Sequence, residues 1–251
     1  MPNLIRLSAK TLSLLRRTRD AFFSLLYPAR CEYCATDISQ SAYLCDSCRK
    51  KAKRIEEPFC QTCSEPFFGA MDEEFSCSNC AGRKFHFTFG VSRFRSRGVV
   101  REMIHRFKYG HEFHLRFPLA DLLAANFDDS RIASQPFDFL VPVPLHSTRM
   151  REREFNQAEV LANLAGEKIG APVSDCLQRI RYTTTQTQFD RDERMENLRN
   201  AFRLRESADV RGKHLVLIDD VFTTGSTVDE CARMLLNAGA TSVRAVTVAR
   251  G

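Results

Sequence analysis

His214-Leu215-Val216-Leu217-Ile218-Asp219-Asp220-Val221-Phe222-Thr223-Thr224-Gly225-Ser226-Thr227 is the stretch that decides the fold. Its first five residues form a short apolar run, as a strand covered on both faces of a parallel sheet requires. Beyond the loop, Val228, Cys231, Leu235 and Ala238 recur at helical spacing and Gly239 supplies a stop, so a helix is predicted to begin near Ser226. The loop then sits on a helix N-terminus, where unpaired N–H groups and the positive end of the macrodipole favour a phosphate, with the Thr223, Thr224, Ser226 and Thr227 hydroxyls at hand. Gly225 lets the backbone approach that anion closely. Asp219 and Asp220 fall at the carboxyl end of the strand, where open α/β sheets bind ligands, and two carboxylates can accept hydrogen bonds from a vicinal diol. A strand-to-helix turn needs one capping residue, and six capping-type side chains around one glycine exceed that need. The stretch reads as a site for a phosphorylated ribose. A metal site made by the acidic pair alone fits less well, because adjacent strand residues point to opposite faces.

Working outward, strand-like runs are predicted at Phe87–Phe94, Phe137–Val143, Pro172–Leu177, His214–Ile218 and Ser242–Ala249. Helical spacing separates them: Val100, Ile104 and Phe107, then Leu119, Leu122, Leu123 and Phe127, then Ala158, Leu161, Ala162 and Ala165. Strands alternating with helices imply βαβ units and a parallel sheet, an α/β fold.

Before residue 81 stand four Cys-x-x-Cys pairs: Cys31/Cys34, Cys45/Cys48, Cys60/Cys63 and Cys77/Cys80. Two residues between thiolates let both sulfurs of a tight turn reach one tetrahedral ion, and two turns close a four-sulfur site, so two structural Zn²⁺ ions are expected. A disulfide framework belongs to secreted chains, and a redox Cys-x-x-Cys would occur once. Sequential ligation puts Cys31, Cys34, Cys45 and Cys48 on one ion and Cys60, Cys63, Cys77 and Cys80 on the other, while crossed pairing of knuckles stays open. Metal binding should supply most of the local folding free energy, so chelation should unfold this part first. Cys176 and Cys231 read as plain buried thiols. The knuckles stop before Phe85, which divides the chain into 1–26, an amphipathic N-terminal helix; 27–84, a small double-knuckle domain; and 85–251, the α/β domain.

The chain has 251 residues, 43% of them hydrophobic, and 37 Lys and Arg against 31 Asp and Glu, a formal +6 that permits a nucleic-acid or phosphate partner without requiring one. In residues 1–30, Arg6, Lys10, Arg16, Arg17, Arg19 and Arg30 interrupt the apolar residues, so neither a membrane span nor a signal peptide is expected, and the chain is placed in the cytoplasm. The basic helix could pack on the protein or touch a membrane surface.

Two further stretches bear on chemistry. Phe139 to Ala158 ends a strand with Pro142 and Pro144, then offers His146, Arg149 and Arg153 near the same sheet edge, as an anion-holding loop or as the exposed side of a helix start. Arg179 to Gln188 is polar and aperiodic, a mobile lid or a solvated loop.

The run Asp219-Asp220-Val221-Phe222-Thr223-Thr224-Gly225 resembles the 5-phosphoribosyl-1-pyrophosphate (PRPP) site of the type I phosphoribosyltransferases. Pro142-Val143-Pro144-Leu145-His146, the spaced arginines, Phe155-Asn156-Gln157-Ala158-Glu159, Thr185-Gln186-Thr187, Arg194 and Asn197 extend the resemblance to the bacterial ComF family, from about Tyr27 to the end. The resemblance implies a double zinc ribbon joined to a type I phosphoribosyltransferase-like parallel sheet flanked by helices. It implies that Asp219 and Asp220 hold the ribose 2′ and 3′ hydroxyls and are the catalytic acids. Val221, Phe222, Thr223, Thr224, Gly225, Ser226 and Thr227 would complete the PRPP site, with Mg²⁺ on the ligand and His146, Arg149 and Arg153 on its pyrophosphate. Members of the family are associated with DNA uptake in natural competence, which makes single-stranded DNA and other DNA-uptake proteins expected partners. Glu154 departs from the family, which usually has Gly before Phe-Asn-Gln.

An enzyme of this kind would displace pyrophosphate from PRPP through a transition state with positive charge on the ribose, stabilised by the two acids. No C-terminal hood is expected after the last predicted strand, so acceptor contacts are expected from the helices between Arg97 and Phe127 or from the knuckle domain. A non-catalytic single-stranded-DNA-binding or PRPP-sensing protein, and a nucleobase phosphoribosyltransferase of salvage metabolism, are the other readings. Arg93, Arg95, Arg97, Arg101, Arg106, Lys108 and Arg116, with Phe94, Phe107, Tyr109, Phe113 and Phe117 among them, suit a single strand; the same pattern also fits a helix with a packed and a solvated side.

Overall fold

The computed structural model describes residues 29–38, 42–67, 69, 76–182 and 198–251. The helix expected over 1–26, the segment from 183 to 188, Arg191, Arg194 and Asn197 lie outside these residues. In chain order the elements are α1 (Asp46–Lys51), β1 (Gly90–Val91), α2 (Gly98–Tyr109), α3 (Arg116–Ala124), α4 (Ser130–Ala133), β2 (Phe139–Pro142), α5 (Ser147–Arg153), α6 (Gln157–Ile169), β3 (Leu177–Arg179), β4 (Phe202–Leu204), β5 (His214–Phe222), α7 (Ser226–Asn237) and β6 (Ser242–Arg250). The chain separates into two compact units, Met1–Lys50 and Lys51–Gly251. In the first, Arg30 and Asp37 bridge across the turn that carries Cys31 and Cys34. The second holds the other cysteine quartet together with the sheet.

The sheet is parallel throughout, in the order β1-β6-β5-β2. Leu215, Val216, Leu217 and Ile218 of β5 are all 0% exposed, which only a strand buried on both faces allows. Leu215 and Leu217 share a buried cluster with Val228, Cys231 and Leu235 of α7. Val216 and Ile218 fall on the opposite face by the strand period, and α3 and α6 pack against each other and against the sheet. Each such side chain contributes about 1.5–3 kcal/mol relative to exposure.

The apolar run ends at Ile218, but β5 does not. Its pairing with β6 continues to Val221↔Ala249 and Phe222↔Arg250, so Asp219 and Asp220 lie within the strand and not after it. Of the Phe87–Phe94 run only Gly90 and Val91 join the sheet, beside Ala245 and Val246. Pro142 closes β2 opposite Ile218 on an edge strand, where its missing N–H costs no ladder bond. The run Pro172–Leu177 is a correction: Val173 makes a single bridge to Leu140, and Leu177–Arg179 instead pairs antiparallel with β4 as a separate ribbon. Pro172 has no N–H with which to extend a parallel ladder.

Two caps shape the segment after β2. Asn156 accepts from the Ala158 N–H at the start of α6, and its amide donates to the Val143 carbonyl at 3.2 Å, tying the helix to the strand exit. Helix α5 ends at Glu154 with φ +68°, in the left-handed region. The position calls for glycine, which explains why Glu is the departure there: a side chain with a Cβ costs about 1–2 kcal/mol in this conformation. Glu154→Gly is therefore expected to stabilise the fold by about 1 kcal/mol, after allowing for the glycine's greater freedom when unfolded, and to raise the melting temperature by roughly 2–4 °C. An unchanged or lower melting temperature in a calorimetric scan would contradict this account of the α5 terminus.

Candidate functional site

Where β5 and β2 end, a cleft of about 260 Å³ opens. Its lining includes Asp219, Asp220, Val221, Thr223 and Thr227, the basic residues His146, Arg149 and Arg153, and Lys108, Arg179 and Tyr182. Three segments distant in sequence thus contribute to one cleft, and the two acids line it together although they are strand neighbours. Asp220 forms an ion pair with Lys108, Oδ2 to Nζ 2.6 Å. Asp219 Oδ1 accepts from the Asp220 backbone N–H at 2.8 Å.

Burial and the neighbouring Asp220 charge push Asp219 up to about 7. Burial works against the Lys108 ammonium, but the Asp220 charge and its hydrogen bond outweigh it and hold Lys108 above its ordinary range. Burial pulls Arg179 down. Arg153 donates to Tyr109 Oη at 2.9 Å and to Gln157 Oε1 at 3.0 Å. Arg149 pairs with Glu152 at 3.1 Å, and the His146 ring meets Tyr182 edge-on at 5.3 Å. Glu154 is exposed and outside the cleft lining.

The loop from Thr223 to Thr227 leads into α7 through Gly225, whose φ of +79° admits glycine readily. A Cβ there would stand 2.8 Å from the Phe222 ring. Phe222 is itself a core residue, 1% exposed and edge-on to Phe87, so its side chain serves packing and only its backbone belongs to the loop. Gly225 and Ser226 are buried, while the Thr224 and Ser226 hydroxyls bond each other at 2.9 Å. Thr224 lies in a neighbouring recess with Cys77 and Asn79.

That recess brings the second cysteine quartet against the loop. Asn79 and Arg83 donate to the Thr224 carbonyl at 3.3 and 3.4 Å. The His86 N–H donates to Asp229 on the first turn of α7 at 2.5 Å, and Arg250 spans from Glu65 to the Phe222 carbonyl. Cys60, Cys63, Cys77 and Cys80 are all buried within the cluster that holds Phe87 and Phe222.

The sulfurs group as Cys31, Cys34, Cys45, Cys48 and as Cys60, Cys63, Cys77, Cys80, each quartet within 4.8 Å, so the sequential arrangement is the one observed. Cys34 and Cys45 lie 3.6 Å apart and Cys63 and Cys77 3.5 Å. Zn–S bonds of about 2.3 Å in a tetrahedron place sulfurs about 3.8 Å apart, whereas a disulfide requires about 2.05 Å. Both quartets fit zinc. Cys176 and Cys231 are buried, and burial pushes the Cys176 thiol up to about 11 and Cys231 well above its ordinary value, as unreactive core thiols require.

The basic stretch around α2 is less free than its composition suggests. Lys108 is on Asp220, Arg106 pairs with Glu112, Arg93 donates to the Ala125 carbonyl, and Arg116 stacks on Phe113 and Phe117. Phe94 and Phe107 are buried. Arg97, Arg101, His105 and Tyr109 remain exposed, four apart along one side of the helix. Lys108 and Tyr109 were placed by their sequence only in this basic and aromatic stretch, Arg179 and Tyr182 only in the polar stretch read as a lid or a solvated loop, and Asn79 carried no motif that marked it for the loop.

Two outcomes are expected. Asp219 ionises near 3.8 in an unfolded chain and near 7 in the folded one, so the stability it allows is fully present at low pH and is lost as pH rises toward 7. Asp219→Asn should therefore raise the melting temperature by roughly 3 °C or more at pH 8 and by clearly less at pH 5; equal gains at both would contradict the burial argument. Removing the second metal site with Cys77→Ser should speed backbone amide exchange across 222–228 by about tenfold or more, and unaltered exchange there would show that the quartet does not brace the loop.

Among the described residues no helix is long and apolar enough to cross a membrane. The double zinc ribbon domain matches residues 22–81, and the phosphoribosyl transferase domain matches residues 156–251. The chain is 33% identical over 224 residues to the DNA utilization protein YhgH of Salmonella typhimurium, covering 88% of this chain and 96% of that one. It is 29% identical over 228 residues to competence protein F of Haemophilus influenzae, with the same coverage. A solved glutamine PRPP amidotransferase from Bacillus subtilis is similar at 21% identity and a TM-score of 0.37, over 56% of this chain and 30% of that one. A double zinc ribbon and a phosphoribosyltransferase-type domain in one chain, with relatives that match it along most of its length, make this protein a member of the ComF family of competence protein F and the DNA utilization proteins.

Proposed function

We propose that the cleft binds PRPP and that the protein acts on incoming single-stranded DNA in the cytoplasm, alongside other DNA-uptake proteins. The observation that carries the reading is the convergence in one cleft of two acids, of Thr223 and Thr227 from the loop before a helix N-terminus, and of the basic residues His146, Arg149 and Arg153. Asp219 and Asp220 would accept from the ribose hydroxyls, the backbone and hydroxyls of Val221 to Thr227 would hold the 5′-phosphate, and His146, Arg149 and Arg153 would face the pyrophosphate. Mg²⁺ would arrive on the pyrophosphate; Asp219 and Asp220 are the carboxylates among the described residues of the lining that could approach it. If the site turns over, a nucleophile displaces pyrophosphate while the two acids offset positive charge on the ribose ring. The eight quartet cysteines would each ligate zinc, and 1–26, 27–84 and 85–251 would be the helix, ribbon and catalytic-type segments.

A second reading, binding without turnover, is favoured by the exposed row Arg97, Arg101, His105 and Tyr109, which offers charge and a stacking face to a single strand. In calorimetry with PRPP and Mg²⁺, the joint substitution of Asp219→Asn and Asp220→Asn should weaken binding at least about 100-fold, about 2.7 kcal/mol; equal affinities would remove the assignment. Pyrophosphate release with a panel of nucleobases distinguishes turnover, including base salvage, from binding alone. Single-strand affinity should fall steeply with salt and drop about tenfold on joint Arg97→Ala and Arg101→Ala substitution.

A further inference from the structure

Lys108 comes from the last turn of α2, and the buried side of that helix, Val100, Met103, Ile104 and Phe107, fixes where its backbone stands. Its ammonium lies 2.6 Å from Asp220 Oδ2, with the two side chains only 19% and 10% exposed. The next residue, Tyr109, receives a hydrogen bond from Arg153, which also lines the cleft. Arg153 Nε is buried without a hydrogen-bond partner, while both terminal nitrogens of that guanidinium are engaged. The turn carrying Lys108 is thereby joined to Arg153.

A ribose diol offers Asp220 only neutral donors, whereas the ammonium at 2.6 Å from Oδ2 is a charged competitor for that carboxylate. Separating a largely buried ion pair is costly when one charge is left without a partner. A flexible four-carbon stem can carry the ammonium to another anion if the ligand brings one within reach. Ribose 5-phosphate keeps its only phosphate at the far end of the sugar, on the helix N-terminus. PRPP adds a pyrophosphate on the Arg153 side.

Resting on the PRPP reading of the cleft, we infer that Lys108 is a specificity-determining residue: it guards Asp220 as a counter-ion and yields it to sugars whose 1-pyrophosphate supplies a replacement partner. The site thereby discriminates the activated pentose phosphate from the unactivated one. Asp220 is shared in turn by an ammonium and a hydroxyl.

The experiment compares binding of PRPP and of ribose 5-phosphate, each with Mg²⁺, by calorimetry on the full chain and on Lys108→Met and Lys108→Arg. The Met variant should bind ribose 5-phosphate more tightly and PRPP more weakly, so that the affinity ratio between them shrinks at least about tenfold, while the Arg variant keeps the ratio within about threefold of wild type. If both affinities move by one common factor in the Met variant, Lys108 is merely structural and the inference is overturned. Should the Met variant fail to fold, Lys108→Gln, which retains a donor to Asp220 without charge, decides by the same ratio. If the unaltered chain binds neither ligand, the PRPP reading itself falls, and that outcome is distinct from a ratio that fails to change.

Discussion

One aromatic ring fixes the geometry on which the rest depends. Phe222 is packed so closely that a Cβ on Gly90 or on Gly225 would stand 2.8 Å from it. Phe87 meets it edge-on, and the Arg250 guanidinium lies over it at 5.6 Å. The ring thus joins the first strand, the end of β5, the start of α7 and the chain that follows the second cysteine quartet. A methylene added at either glycine would overpack this point, and overpacked cores lose about 1–3 kcal/mol. The zinc-ribbon quartet is therefore part of the platform beneath the loop, and the Asn79 and Arg83 bonds to the Thr224 carbonyl extend that support to the loop itself.

Above the platform the cleft holds charge in a poorly solvated place. Asp219 is pushed toward neutrality by burial and by Asp220, and Lys108 compensates Asp220 from a helix remote in sequence from the Thr223–Thr227 loop. Fixed charges of this kind disfavour the folded state when they are unpaired and favour a ligand that satisfies them. Two of the other basic residues of the lining have partners of their own, Arg153 in Gln157 and Tyr109 and Arg149 in Glu152.

Local patterns in the chain carried most of this. The run His214 to Ile218 announced the central strand because nothing else keeps four consecutive aliphatics covered on both faces. The Cys-x-x-Cys spacing announced both quartets because the ligands of each turn are neighbours in sequence, although only the folded chain separated sequential from crossed grouping. Glu154 could be noticed against the family pattern, while the φ of +68° that makes glycine the favoured residue is a property of the folded turn. Contacts between remote segments were not legible. The three-residue strands β3 and β4 are too short for a periodicity signal, β5 reached Phe222 because β6 continued the ladder past the acids, and Lys108 found Asp220 only through the placement of α2.

The most direct test of the central claim is a crystal structure of the protein with PRPP and Mg²⁺. The account requires the 5′-phosphate on the N–H groups at the start of α7, the ribose hydroxyls on Asp219 and Asp220, and the pyrophosphate toward Arg149 and Arg153. PRPP bound elsewhere, or bound in this cleft with its sugar turned away from both carboxylates, would contradict it.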